Sequence, residues 1–144
     1  MRVLLLLAAL ILASCGSFRP PQPSPALTPA EVVSIQLRAL QNINQPVPNA
    51  GVWIVYQFAS PGNRQVTGPY GRFLRMIKSP ANRTLLRSRS LKIVSSQVSG
   101  AEANVAAEVT GDAGAVSEWV FTLSKLSFEN CAGCWMTEGV SRTR

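Results

Sequence analysis

The sequence contains no histidine, and only 7 acidic residues stand against 14 basic ones in a chain of 144. Without histidine the commonest general base is missing, and with it the usual hydrolase triads and most catalytic zinc sites. No glycine-rich phosphate cradle occurs either. The stretch GPYG at 68–71 lacks both the spacing and the lysine of such a loop. Acid is absent altogether between Glu31 and Glu102. Aromatic and charged residues are sparse, at 7% and 15%, which leaves little material for a charged catalytic centre. The apolar run Val3–Ala13 is too short to cross a bilayer core, which takes roughly 20 helical residues.

That run has another use. MRVLLLLAALILASC begins with one arginine, continues apolar, and ends in Leu12-Ala13-Ser14-Cys15. The length suits the hydrophobic region of a secretion signal, about 7–15 residues. The ending has the form of a bacterial lipobox, in which small residues fit the peptidase groove and the cysteine thiol accepts a diacylglyceryl group. Residues 1–14 therefore read as a lipoprotein signal peptide and Cys15 as the lipidated mature N-terminus. A buried N-terminal helix with a chance cysteine is the alternative. Two or more acyl chains anchor stably where one binds only marginally. The expected address is the cell envelope outside the cytoplasm. Gly16 stands where an inner-membrane retention aspartate would be, so the destination membrane stays open. Residues 15–27 then read as a tether: Pro20, Pro21, Pro23 and Pro25 favour extended polyproline II, giving a reach of roughly 35 Å and no core.

The net charge of +7 is unevenly placed. Arg64, Arg72, Arg75, Lys78, Arg83, Arg87, Arg89 and Lys92 follow one another without an intervening acid. The first reading of such a cluster is a plain solvated face; the alternative is contact with an anionic lipid surface or envelope polymer through Arg72, Arg75, Lys78 and Arg83. No nucleic-acid module accompanies the charges, so nucleic acid is not an expected partner. A protein partner cannot be named from the sequence.

The folded part is expected over 28–144 as a single domain. Thr28-Pro29-Ala30-Glu31 is a capping box with proline at the first helical position. Val33, Leu37 and Leu40 recur at helical spacing to about Asn42, and Pro46 and Pro48 bar continuation. NAGVWIVYQFAS at 49–60 is ambiguous: its residues favour a strand, yet Asn49 is placed to cap a buried helix. Phe58 to Phe73 reads as a loop bounded by Pro61 and Pro69, joining two helices. Pro69–Lys78 reads as a third helix, with Tyr70, Phe73, Leu74 and Ile77 on one face and Arg72 and Arg75 on the other. A helical turn over 81–86 sends Leu85 and Leu86 inward. From Ser88 the rhythm becomes period two, with turns at 111–114 and 129–133 and a last strand over 134–141. Short connections predict an antiparallel meander of four strands, hence an α+β domain with N-terminal helices on a curved sheet.

Few residues qualify as a site. Tyr56, Asn63, Arg64 and Glu118 are candidates for a pocket. Asn63 and Arg64 suit equally a structural role, bonding local backbone or a fan of carbonyls, and Tyr56 suits the core. Glu118 and Glu138 are the conceivable catalytic carboxylates, on strand positions that equally face water. Cys131-Ala132-Gly133-Cys134 reads as a disulfide across a turn at an oxidising address. Two free thiols, or a redox or metal role, are the alternatives. Zinc would need two further ligands; no metal and no cofactor are expected.

Phe58-Ala59-Ser60-Pro61, Asn63-Arg64, Thr67-Gly68-Pro69 and Phe73, with Cys134-Trp135-Met136-Thr137 far downstream, resemble a family of small bacterial and plastid proteins of unknown function. The resemblance spans most of 29–141, and Cys131 looks like an addition to its pattern. It implies a helix before Ser60-Pro61, which settles 50–59 as helical. It further implies the cone of nuclear transport factor 2 and the polyketide-cyclase-like proteins, where a bent sheet wraps a helix and leaves a pocket at its open end. It carries no reaction. The expected function is thus a membrane-anchored lipoprotein with a non-enzymatic ligand- or partner-binding domain. The alternative is a small lyase, isomerase or hydrolase using a carboxylate in the cone pocket.

Overall fold

The structure, a computed structural model, describes residues 19–127 and 131–144. The expected signal peptide, Cys15 and part of the expected turn at 129–133 lie outside the described residues. The chain forms α1 (Pro29–Gln41), α2 (Ala50–Gln57), α3 (Pro61–Thr67), α4 (Tyr70–Ile77), a 3-10 turn (Pro80–Asn82) and α5 (Arg83–Leu86). Four strands follow: β1 (Ser88–Ser99), β2 (Glu102–Gly111), β3 (Val116–Lys125) and β4 (Trp135–Arg142). They pair antiparallel in the order β1-β2-β3-β4. The molecule is the α+β domain expected, with its helices first and a curved open meander after.

The capping box forms as its residues dictate. Thr28 Oγ1 accepts from Glu31 N at 3.3 Å while Glu31 Oε2 accepts from Thr28 N at 2.8 Å, satisfying two amides that a helix start leaves orphaned. Val32, Val33, Leu37 and Leu40 then pack inward from α1. They meet Val52, Val55 and Phe58 from the α2 segment and the alternate residues Ala103, Val105, Ala107 and Val109 of β2. Trp119, Phe121 and Leu123 of β3 complete this core. Fully burying one such side chain contributes about 1.5–3 kcal/mol, and the alternation on β2 and β3 leaves Glu102, Glu108 and Glu118 off the core face.

α1 and α2 approach closely at Gly51. Its N–H donates to Ile43 O at 2.9 Å. A Cβ there would lie 2.8 Å from both the Ala39 carbonyl carbon and Ile43 Cα, and closer still to the Ala39 oxygen. After α2 the backbone is fastened to the last strand: Thr137 N donates to Phe58 O at 2.8 Å and Ser60 N to Thr137 O at 3.0 Å.

Three expectations are corrected. The segment expected as a loop contains α3, because Ser60 Oγ accepts from Asn63 N at 3.0 Å as an N-cap and Pro61 takes the first helical position; Gly68, at φ 83°, ends it. Asn49 adopts a left-handed conformation and makes no side-chain cap. Its Oδ1 instead accepts from Lys78 Nζ at 3.2 Å. Finally, the proline-rich tether does not hang free over its described part. Pro20 lines a groove with Trp53 and Tyr70, Pro23 lines a cleft with Arg64, and the space beside Gly133 is bounded by Pro25 Cβ, 3.4 Å from where a Cβ would sit.

Candidate functional site

α3 and α4 do not close down on β3 and β4. α3 buries no residue at all, since PGNRQVT has no apolar stripe to bury. Between these elements lies a cavity of about 860 Å³. Its walls are mainly apolar: Leu40, Val55, Phe73, Ile77, Trp119 and Phe121 line it. At the mouth stand Val66, Met76 and Val140, which are 78%, 41% and 43% exposed.

One polar group lies deep inside. Gln36 is completely buried on the inner face of α1. Its Nε2 donates to Thr137 Oγ1 at 2.8 Å and, more weakly, to Val32 O at 3.4 Å, but Oε1 has no partner. Thr137 can engage only one arm of the carboxamide. Whichever arm that is, the other is left unpaired in the cavity, at a cost of about 1–3 kcal/mol. Gln36 is thus a buried polar group with one unpaired atom beside the open space. The sequence carried this signal: Gln36 interrupts the stripe of Val32, Val33, Leu37 and Leu40, and reading only the apolar residues of that stripe passes over it.

The other candidates sit as follows. Asn63 lines the cavity, its Nδ2 donating to Thr137 O at 3.0 Å, so it braces α3 against β4. Arg64 turns away and caps the end of α2: Nη2 donates to Tyr56 O at 2.9 Å and Gln57 O at 3.1 Å, and its guanidinium lies 4.7 Å from the Tyr56 ring centroid. Tyr56 belongs to an aromatic cluster with Trp53, Tyr70 and Phe73, at centroid distances of 5.2–6.1 Å, and is not among the cavity's lining residues. Glu118 also lies away from the cavity. Strand alternation turns it to the face opposite Trp119 and Phe121, where it pairs with Arg144 at 3.1 Å and accepts from Thr143 Oγ1 at 3.1 Å. The four candidates are therefore not one constellation; Asn63 alone reaches the cavity.

Glu138 does stand at its rim. Oε2 accepts from Ser60 Oγ at 2.7 Å and Oε1 from Ser124 Oγ. The carboxylate is exposed and both oxygens are engaged, so it joins the cap of α3 to the sheet. Among the described residues, no group of three or more His, Cys, Asp or Glu could hold a metal ion. The Cys131 and Cys134 sulfurs lie at disulfide distance with Cα atoms 5.5 Å apart, within the usual span for a bridge.

Arg72, Arg75, Lys78 and Arg83 are all exposed. Among the described residues the ion pairs are Arg87–Asp112 at 3.9 Å and Arg144–Glu118 at 3.1 Å, neither of which involves these four. Beside α4 lies a second, smaller groove of about 360 Å³, formed by Pro20, the Pro46–Pro48 bend, Trp53 and Tyr70. Burial pushes the Tyr70 phenol up from its ordinary range, so it stays neutral there. Among the described residues no helix is long and apolar enough to cross a membrane.

The chain matches no protein-family model, and no curated protein or solved structure is significantly similar to it.

Proposed function

We propose that the protein is an envelope lipoprotein, anchored through Cys15, whose domain binds a small and mainly apolar ligand in the cavity between α3–α4 and β3–β4. The single observation that carries the binding reading is the Gln36 carboxamide, fully buried with one arm unpartnered in a cavity of about 860 Å³. Small-molecule sites have this volume, about 300–1,000 Å³, and this make-up of apolar walls with a few fixed polar groups. The likeness to the bacterial and plastid family, and to the cone proteins that keep a pocket inside a bent sheet, is part of the same proposal.

Binding is favoured over catalysis because of what surrounds the polar groups. The rim carboxylate, Glu138, is held by two serine hydroxyls, and no histidine exists to serve as its partner. The alternative, a lyase or hydrolase working through a carboxylate, would need that carboxylate free and poised inside the cavity.

A polarity-sensitive anilinonaphthalene dye tests this. The protein is expected to take up one dye per chain with enhanced fluorescence. Val140→Trp, which places a large ring at the cavity mouth, is expected to weaken that binding at least about tenfold, a loss of about 1.4 kcal/mol. Unchanged dye affinity in a folded Val140→Trp protein would remove the cavity as the site.

The cysteine pair is proposed as a disulfide holding the turn before β4, formed at the oxidising address. Alkylation under non-reducing conditions followed by mass spectrometry should leave Cys131 and Cys134 unlabelled; two alkylated thiols would overturn it.

A further inference from the structure

The groove that Pro20 enters fixes where the N-terminal segment meets the domain. Pro20 lies in it beside Pro46, Val47, Pro48, Trp53 and Tyr70. Only residues 16–19 separate Pro20 from Cys15. At no more than about 3.6 Å per residue, the chain from the groove to the lipidated thiol spans at most about 18 Å. The effective tether is thus about half the length that residues 15–27 allow, and it leaves the domain from one particular face.

That face has the composition of a membrane-surface contact. Trp53 is 44% exposed and Val47 59% exposed, while Trp119 and Trp135 are buried. An amphipathic indole and neighbouring apolar groups suit the headgroup level of a bilayer. Cations frame them: Arg19 adjoins Pro20 and is exposed, and Lys78 Nζ reaches Asn49 Oδ1, at the groove wall, at 3.2 Å. Arg75 is exposed one turn before Lys78 on α4. Residues 32–101, which supply all of this face except Arg19 and Pro20, contain no acid. Nothing on those elements repels an anionic surface.

We propose that the domain rests on an anionic bilayer surface through the Pro46–Pro48 bend and Trp53, with Arg19, Arg75 and Lys78 at the phosphates. This rests on the lipid-anchor reading of Cys15. It turns the general attraction of a basic cluster into one orientation.

Trp53 supplies the probe. The full-length, natively lipidated chain is reconstituted into phosphatidylglycerol-containing vesicles whose acyl chains are brominated near the headgroup. Floated protein is expected to show quenched and blue-shifted tryptophan emission relative to unbrominated vesicles. Trp53→Phe should abolish the quenching without changing flotation. Arg19→Glu with Lys78→Glu should reduce quenching while flotation persists. Three outcomes overturn the proposal. If the chain floats and Trp53 is unquenched, the orientation alone falls. If Trp53→Phe retains the quenching, the contact lies elsewhere. If the chain fails to float, or Cys15→Ser floats equally well, the anchor falls and this orientation with it.

Discussion

Two helix contacts in this molecule are built in opposite ways. At α1–α2, Gly51 removes a side chain so that backbones touch: its N–H reaches Ile43 O at 2.9 Å and no Cβ would fit. At α3–α4 against β3–β4, side chains meet only along one edge, and about 860 Å³ stays open. The sealed contact carries stability. The open one is held by polar clips at a single edge, where Asn63 bonds Thr137 O and Ser60 bonds Glu138. α3 buries nothing, so it adds little to the core and acts as a wall. The inner walls of the cavity, Leu40, Val55, Phe73, Trp119 and Phe121, belong to the core itself, so only its outer wall, α3, is free of that duty.

The largest effect should come from breaking the sealed contact. Gly51→Ala places a methyl group against the Ala39 carbonyl and Ile43 backbone, neither of which is a flexible side-chain end. Overpacking of this kind costs about 1–3 kcal/mol and sometimes more; with backbone on both sides, about 3 kcal/mol is expected. Urea denaturation should show it as a fall in midpoint with an unchanged slope. A loss near zero would mean that α1 and α2 can separate freely.

A smaller effect is expected inside the open region. Gln36→Leu removes the unpartnered carboxamide but leaves the Thr137 hydroxyl without that bond, costing about 1–3 kcal/mol. Adding Thr137→Val replaces both partners by apolar groups of similar shape and should recover most of the loss. Dye binding should stay weakened in the double variant, because the carboxamide is gone. Additive losses in stability would show that the pair is not coupled in the way its 2.8 Å hydrogen bond indicates.

How much of this was legible beforehand follows from the same contrast. Regions governed by local rules could be read. Thr28-Pro29 gave the start of α1, the period-two runs gave β2 and β3, and the meander followed from short connections. Ser60-Pro61 carries the same start signal as Thr28-Pro29, but the glycines at 62 and 68 and the lack of an apolar stripe mask it, so the segment of α3 reads as a loop. The cavity was not legible, because an empty space leaves no pattern along a chain. Neither was the separation of Tyr56, Arg64 and Glu118, which depends on which way each element faces. Gln36 could have been found as a polar residue inside an apolar stripe. The docking of Pro20 depends on a groove assembled from two separate segments, 46–54 and Tyr70, and proline-rich composition alone reads as a free tether.

The two proline-led helix starts also differ in a way that pH can expose. In α1 the third helical residue is Glu31, whose carboxylate accepts from the Thr28 amide and hydroxyl; in α3 that position is Asn63, which does not titrate. The backbone bond from Thr28, followed by its side-chain bond, holds the Glu31 carboxyl below the ordinary glutamate range. A carboxyl with a depressed folded-state pKa contributes stability that is fully present above its unfolded value, about pH 4.3, and is lost as pH falls through the folded value. Glu31 is fully exposed, so solvent screens the interaction and the effect should be small. Acidification should therefore loosen the first turn of α1 while the Ser60 cap keeps its bond to Asn63 N. Hydrogen exchange at the α1 amides, compared between wild type and Glu31→Gln, measures this. The variant should exchange faster than wild type near neutral pH, and the gap should close as pH falls below about 4. A gap that persisted unchanged into acid would show that the Glu31 charge contributes nothing to the cap.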